Sequence, residues 1–169
     1  MMELMEVIRQ RRSIRKYKPD PVSQDVVDEI VEAARLAPSW ANTQCWKFIV
    51  VTDPTVKDKL AEAGNKWIAH APALIAACAD PSLPGMKEDQ PYYMLDIGIA
   101  MEHLILAATE KGLGTCWIGW FDERVAKRAL GVPDKMRVVA LTPLGYPDET
   151  PSPRPRKALS EIMCANGYE

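Results

Sequence analysis

The apolar and polar positions divide the chain into alternating helical and extended stretches. Leu4, Met5 and Ile8 share one face of a helix predicted over residues 1–10. Val27, Ile30, Val31 and Ala34 fall at i, i+3, i+4 and i+7, which predicts a second helix after Pro21, capped by Ser23. It stops near Ala37, because Pro38 disfavours helical geometry in the residue before it. Residues 46–51 are apolar β-formers and predict a strand; alanine-rich residues 73–79 predict a second, buried one. Between them Asp53 caps a helix that has Pro54 at its first position. Residues 92–111 form a long helix, apolar around most of its circumference and ended by Gly112. In so short a chain, such a surface implies burial on several sides and a subunit interface. Residues 115–118 predict a strand, Asp122 caps a helix that runs to Leu130 and stops at Gly131, and residues 137–141 predict a last strand. Beyond Pro143 come Pro147, Pro151, Pro153 and Pro155, which predict an extended segment crossing a surface or a neighbouring subunit. The expected organisation is one domain over residues 1–169, with 147–169 as an extended C-terminal segment and strands and helices in mixed layers.

Charge changes this picture locally. The net charge is −2, yet residues 9–18 hold six Arg or Lys and no carboxylate, and Arg154-Pro155-Arg156-Lys157 forms a second knot. Two positive sites on a mildly acidic chain point to capture of a small anion; a nucleic-acid surface needs broader basicity. The most apolar stretch, residues 94–108, contains Asp96, Glu102 and His103 and cannot be an uninterrupted membrane span. Cys45, Cys78, Cys116 and Cys164 are scattered, without CxxC spacing or nearby His, which argues against zinc and a disulfide scaffold. Reduced thiols in a cytoplasm are the simplest expectation.

Three segments carry candidate chemistry. Arg11, Arg12 and Ser13 fall where the first helix ends, so guanidinium forks and a hydroxyl can face a cleft and grip phosphate oxygens. Residues 38–46 place hydroxyls, two amides and two indoles in the connection before a strand; Asn42 and Gln44 each offer a donor and an acceptor for a heterocycle edge. Gly112-Leu113-Gly114-Thr115-Cys116-Trp117-Ile118-Gly119 is no dinucleotide fingerprint, since its glycines follow a helix and precede a strand. Gly119 can instead bring backbone N–H groups against a planar ligand. Cys116 lacks a basic partner and reads as a small buried hydrophobe. There is no G-x-x-x-x-G-K-[ST], G-x-S-x-G or H-E-x-x-H sequence. Phosphate-binding arginines, amides for a heterocycle and open glycine backbone are what bound flavin mononucleotide (FMN) requires.

These motifs, in their order and spacing, resemble the nitroreductase family: Arg-Arg-Ser-Ile-Arg, Pro-Ser-x-x-Asn-x-Gln-x-Trp, Gly-Leu-Gly-Thr-Cys-Trp-Ile-Gly and Arg-Pro-Arg-Lys-x-Leu. The resemblance implies an α+β, nitroreductase-like fold: a central mixed or antiparallel sheet flanked by helices, in an intertwined homodimer with FMN at the subunit interface. It assigns Arg11, Arg12, Ser13 and Arg15 to the flavin phosphate and pyrimidine side, and Arg154 and Arg156 to the phosphate. Pro38, Ser39 and Asn42 would reach the flavin from the partner, with Gln44 close by; Trp117, Ile118 and Gly119 would face the reactive edge. Cys45 and Ala158 stand where relatives commonly have proline. The implied activity is ping-pong transfer of electrons from NADH or NADPH to a small electron-poor acceptor, nitroaromatic or quinone, with the chemistry at flavin N5 and no catalytic side chain named. The alternatives are reduction of an enone or halogenated aromatic, or a non-catalytic FMN carrier or sensor. No metal, nucleic acid or membrane is expected.

Overall fold

The computed structural model describes residues 2–168. Its centre is a four-stranded sheet built from β1 (Trp46–Val51), β2 (Ala73–Ala79), β5 (Gly114–Thr115) and β6 (Arg137–Gly145), in the order β1-β2-β6-β5 with every pair antiparallel. The helices are α1 (Leu4–Gln10), α2 (Gln24–Arg35), α3 (Pro54–Ala61), α4 (Tyr92–Glu110) and α5 (Glu123–Leu130). All seven β2 residues are buried because both faces of that strand are covered. Ala73, Ile75, Ala77 and Ala79 point into a core shared with α2 and α4. Leu74, Ala76 and Cys78 point into a second core shared with α3 and α5. An uninterrupted apolar run is what two-sided burial requires.

Local chemistry sets the ends of the elements. Asp53 accepts the Val56 N–H at 3.0 Å to start α3, and Asp122 accepts from Arg124 and Val125 to start α5. Ser23 stands at the start of α2, but its side chain makes no capping bond. Met1 of the predicted first helix lies outside the described residues, and α1 begins at Leu4. Its expected apolar stripe faces outward: Leu4, Met5 and Ile8 are exposed, and Val7 is the buried residue. The strand expected at 115–118 is shorter and earlier, because the Cys116 N–H goes to the Thr142 hydroxyl and Ile118 alone rejoins Leu141. Strand β6 runs on through Pro143 to Gly145, past its expected end at Leu141. Thr142 Oγ1 bridges to Cys116 N–H beside the residue that has no N–H to give. Ala77 pairs with Ala140 and Cys78 with Val138, which leaves Val139 as the extra residue of a bulge.

Between β2 and α4 lies a small hairpin that the pattern does not predict, β3 (Met86–Lys87) and β4 (Gln90–Pro91). Glu88 and Asp89 at its tip adopt φ of 52° and 63°, the left-handed pair that a tight hairpin needs. Within its own chain α4 buries Ile97, Ala100, Met101, Leu104, Ile105 and Ala108 against α2 and the sheet, while Met94 and Leu95 remain exposed. Among the described residues no helix is long and apolar enough to cross a membrane.

Candidate active site

The two cationic knots, far apart in sequence, line one cavity of about 480 Å³. Arg9, Arg11, Arg12, Ser13 and Arg15 form one wall; Pro151, Ser152, Pro153, Arg154 and Arg156 form the other. The N-terminal loop is stitched to the sheet edge: the Ile14 N–H donates to Thr115 O at 2.8 Å, and Ser13 bridges Thr115 in parallel. A Cβ on Gly114 would lie 2.8 Å from the Ile14 side chain, so glycine there lets the loop lie flat on β5. The loop also pairs with the C-terminal strap, Lys18 N–H to Tyr146 O and Asp148 N–H to Lys16 O, each at 2.9 Å. Arg12 folds back onto the carbonyls of Arg9 and Arg11. Arg11 Nε lies 3.8 Å from Glu102 of α4. Burial pushes the Glu102 carboxyl up, against the opposing pull of Arg11 and His103.

Pro38 and Ser39 lie elsewhere, in an apolar groove of about 250 Å³ with Trp40, Tyr92, Leu95, Asp96 and Ile99. The Trp40 and Tyr92 ring centroids are 6.1 Å apart, at an interplanar angle of 32°. The single chain therefore does not bring the 38–44 loop into the arginine cavity. The loop is strained: Ala41, Asn42 and Gln44 have φ of 45°, 57° and 47°, a region that costs a non-glycine residue about 1 kcal/mol or more. Ser39 Oγ accepts the Gln44 N–H and Asp96 Oδ1 accepts the Trp40 N–H, both at 2.9 Å, which holds it in place. The exposed Gln44 amide turns back toward Asn42. The Cys45 thiol, pushed up to about 12 by burial and then by the Asp96 carboxylate, donates to Asp96 Oδ2 at 3.7 Å. In the sequence Asp96 served only to exclude a membrane span; an acid between the apolar Leu95 and Ile97 was the signal that it holds something.

Of the third segment, Trp117 is part-exposed, and its Nε1 would lie 3.7 Å from a Cβ on Gly119. Ile118 differs from its neighbours. Its side chain is in the second core, and its N–H and C=O are both paired with Leu141 at 2.9 Å. Asn65 Nδ2 donates to Trp120 O and the Asp122 N–H to Ala63 O, which anchors the end of this loop. Burial pushes the Cys116 thiol up despite the pull of Arg15 and Ser13, so it is no ready nucleophile.

The profile of the Nitroreductase family matches residues 8–66 and 59–146. A protein of Archaeoglobus fulgidus, provisionally named NADH dehydrogenase/NAD(P)H nitroreductase, is 37% identical over 155 residues, 88% of each chain. The crystal structure of a nitroreductase family protein from Clostridium novyi NT superposes with a TM-score of 0.85 at 41% identity, over 90% of this chain and 89% of that one. The NADPH:FMN oxidoreductase of Vibrio harveyi, solved with NAD+, gives 0.90 at 27% identity, over 98% of this chain and 78% of that one. The antiparallel sheet with helices on both faces is thus shared nearly end to end, and the matched residues include the N-terminal wall of the arginine cavity, the strained loop and the segment around Gly119. The chain belongs to the nitroreductase family.

Proposed function

We propose that the protein is an FMN-dependent oxidoreductase that takes electrons from NADH or NADPH and delivers them to an electron-poor acceptor, a nitroaromatic or a quinone. The observation that carries this reading is the convergence of the two arginine knots on one cavity. The donor set fits the cofactor: a phosphate monoester presents a near-dianionic cluster of oxygens, for which guanidinium forks and a serine hydroxyl are suited partners. Arg11, Arg12, Ser13, Arg15, Arg154 and Arg156 would hold the phosphate and the pyrimidine edge. The names of relatives point the same way, an NADPH-flavin oxidoreductase of Vibrio harveyi among them.

Bound FMN would supply the redox chemistry, accepting a hydride from the nicotinamide and passing electrons on. The chain's own part is to bind, orient and shield. A guanidinium beside the pyrimidine edge, from Arg12 or Arg15, stabilises negative charge gathered there. Gly119 leaves its backbone open, with Trp117 beside it. Pro38, Ser39 and Asn42 reach the flavin from a second copy of the chain, with Gln44 close by, which accounts for their separation from the cavity within one copy. No side-chain general acid is assigned. Donor and acceptor use one face in turn, giving ping-pong kinetics. The protein works as a homodimer in the cytoplasm.

The test is anaerobic stopped-flow. Purified protein should be yellow, be bleached rapidly by NADH or NADPH, and regain its colour on mixing with a nitroaromatic or quinone. Colourless protein that FMN cannot reconstitute would sink this function. Bleached protein that no acceptor restores would make it a carrier or sensor instead.

A further inference from the structure

Asp96 lies in the second turn of α4 between Leu95 and Ile97 and is only 2% exposed. Burying a carboxylate is unfavourable unless its oxygens find donors. Its donors come from outside α4. Oδ1 accepts the Trp40 N–H at 2.9 Å, and Oδ2 accepts the Cys45 thiol at 3.7 Å. Trp40 and Cys45 flank the strained residues Ala41, Asn42 and Gln44, so one carboxylate gathers both ends of that loop. Burial, and then the carboxylate itself, keep the Cys45 thiol protonated and therefore a donor.

Within the loop the bonds are internal. The Asn42 N–H donates to Ser39 O at 3.0 Å, the Thr43 N–H to Trp40 O at 2.9 Å, and the Gln44 N–H to the Ser39 hydroxyl. They close the loop on itself but do not orient it on the body. The Asp80 N–H donates to Cys45 O at 2.9 Å; among the described residues, the other hydrogen bonds that tie residues 39–45 to the body both end on Asp96. Non-glycine residues at positive φ persist only where their surroundings over-determine them, and such strain gathers at ligand clamps. Ala41, Asn42 and Gln44 are themselves exposed, so packing within one copy does not account for their strain.

We propose that Asp96 is a positioning residue acting between copies: by gathering the Trp40 N–H and the Cys45 thiol on one carboxylate, it presents Ser39 and Asn42 to the flavin ring in the cavity of the second copy. This rests on the FMN reading of the cavity and on its sharing between copies. The mark of the role is an equal loss for FMN and riboflavin, since the loop reaches the ring that both flavins share.

The experiment titrates apoprotein of the full chain with FMN and with riboflavin by flavin fluorescence, well below the melting temperature. Asp96→Asn keeps an oxygen for the Trp40 N–H and loses the acceptor for the thiol. The Kd of both flavins should rise by the same factor, about tenfold as for loss of one buried contact to a charged group, with the dimer mass retained. A mixed dimer then tells whose flavin the loop serves. It pairs an Asp96→Asn copy with a copy carrying Arg154→Ala and Arg156→Ala, isolated through two different affinity tags. One of its sites joins an intact cavity to an intact loop, so one FMN should bind with the wild-type Kd although each variant alone binds weakly. A mixed dimer without a wild-type site would place the action of Asp96 within its own copy and overturn the proposal. So would unchanged affinity, an effect on FMN alone, or loss of the dimer in Asp96→Asn. If that variant does not fold, Cys45→Ala, which leaves the Trp40 bond in place, should raise both Kd values by about threefold or more, and unchanged values overturn the proposal. Wild-type protein that binds neither flavin, or full FMN affinity in the arginine variant, overturns the FMN reading of the cavity as well.

Discussion

Arg156 and Gly119 probe opposite properties of the site. Arg156 Nη1 sits against the carbonyls of Arg154 and Pro155 on an exposed strap, with no carboxylate of the described residues bonded to it. Arg156→Ala should therefore leave thermal stability unchanged and raise the FMN Kd by about ten- to hundredfold, measured by titration of apoprotein. Unchanged affinity would remove Arg156 from the phosphate site. Gly119 has room for a methyl group, whose nearest neighbour would be Trp117 Nε1 at 3.7 Å. Gly119→Ala should fold with an unaltered Tm yet lower turnover by roughly tenfold or more if the ring approaches this backbone; full turnover would show that nothing lies against it. At this scale, the arginines and Ser13 that line one cavity could be picked out because their chemistry is carried by residue type and spacing. Asp96 and Glu149 were not. Each acts through backbone N–H groups that only folding brings near, Asp96 on Trp40 and Glu149 on Arg15 and Lys16.

Helix starts were legible where a side chain reaches its own backbone, as at Asp53 and Asp122, since both partners are adjacent in sequence. Strand ends were not, because they depend on what lies alongside. Strand β6 passes Pro143 with β2 on one side and β5 on the other. The element that ties α5 to this strand is Glu123. It takes Nε and Nη2 of Arg137 and the Val138 N–H, while Arg137 Nη1 donates to Tyr93 of α4 at 2.9 Å. Burial alone would raise the Glu123 carboxyl, but the bonds from Arg137 and Val138 outweigh it and hold it below the ordinary range. A depressed folded pKa adds stability above the unfolded value of about 4.3, and this is lost as pH falls through the folded one. Glu123→Ala should cost about 1–2 kcal/mol near neutral pH, and the difference from wild type should shrink on acidification below about pH 4 in urea melts. A pH-independent difference would deny the carboxylate its part.

On the scale of the whole molecule, apolar side chains remain uncovered on several elements. Leu4, Met5 and Ile8 on α1, Met94 and Leu95 on α4, and Leu159, Ile162 and Met163 near the end of the chain are all exposed. Exposed apolar residues grouped on one element, as on α1, are the kind of surface that a second copy would cover. Light scattering of the FMN-bound protein should give twice the 18.9 kDa chain mass, and a monomer mass would contradict a site shared between copies. The outward stripe of α1 shows why the sequence alone could not place it. Periodicity gives the apolar face of a helix, not which body it meets.

Arg15 and Glu149 are 134 positions apart, and the bond between them ties the N-terminal loop to the C-terminal strap. On a translating ribosome every strand of the central sheet has been made once Gly145 is in place, yet the second wall of the arginine cavity still lacks Arg154 and Arg156. Capture of the cofactor by that cavity would therefore follow completion of the sheet. A nascent chain halted before Arg154, however well its sheet has formed, has only one wall of that cavity.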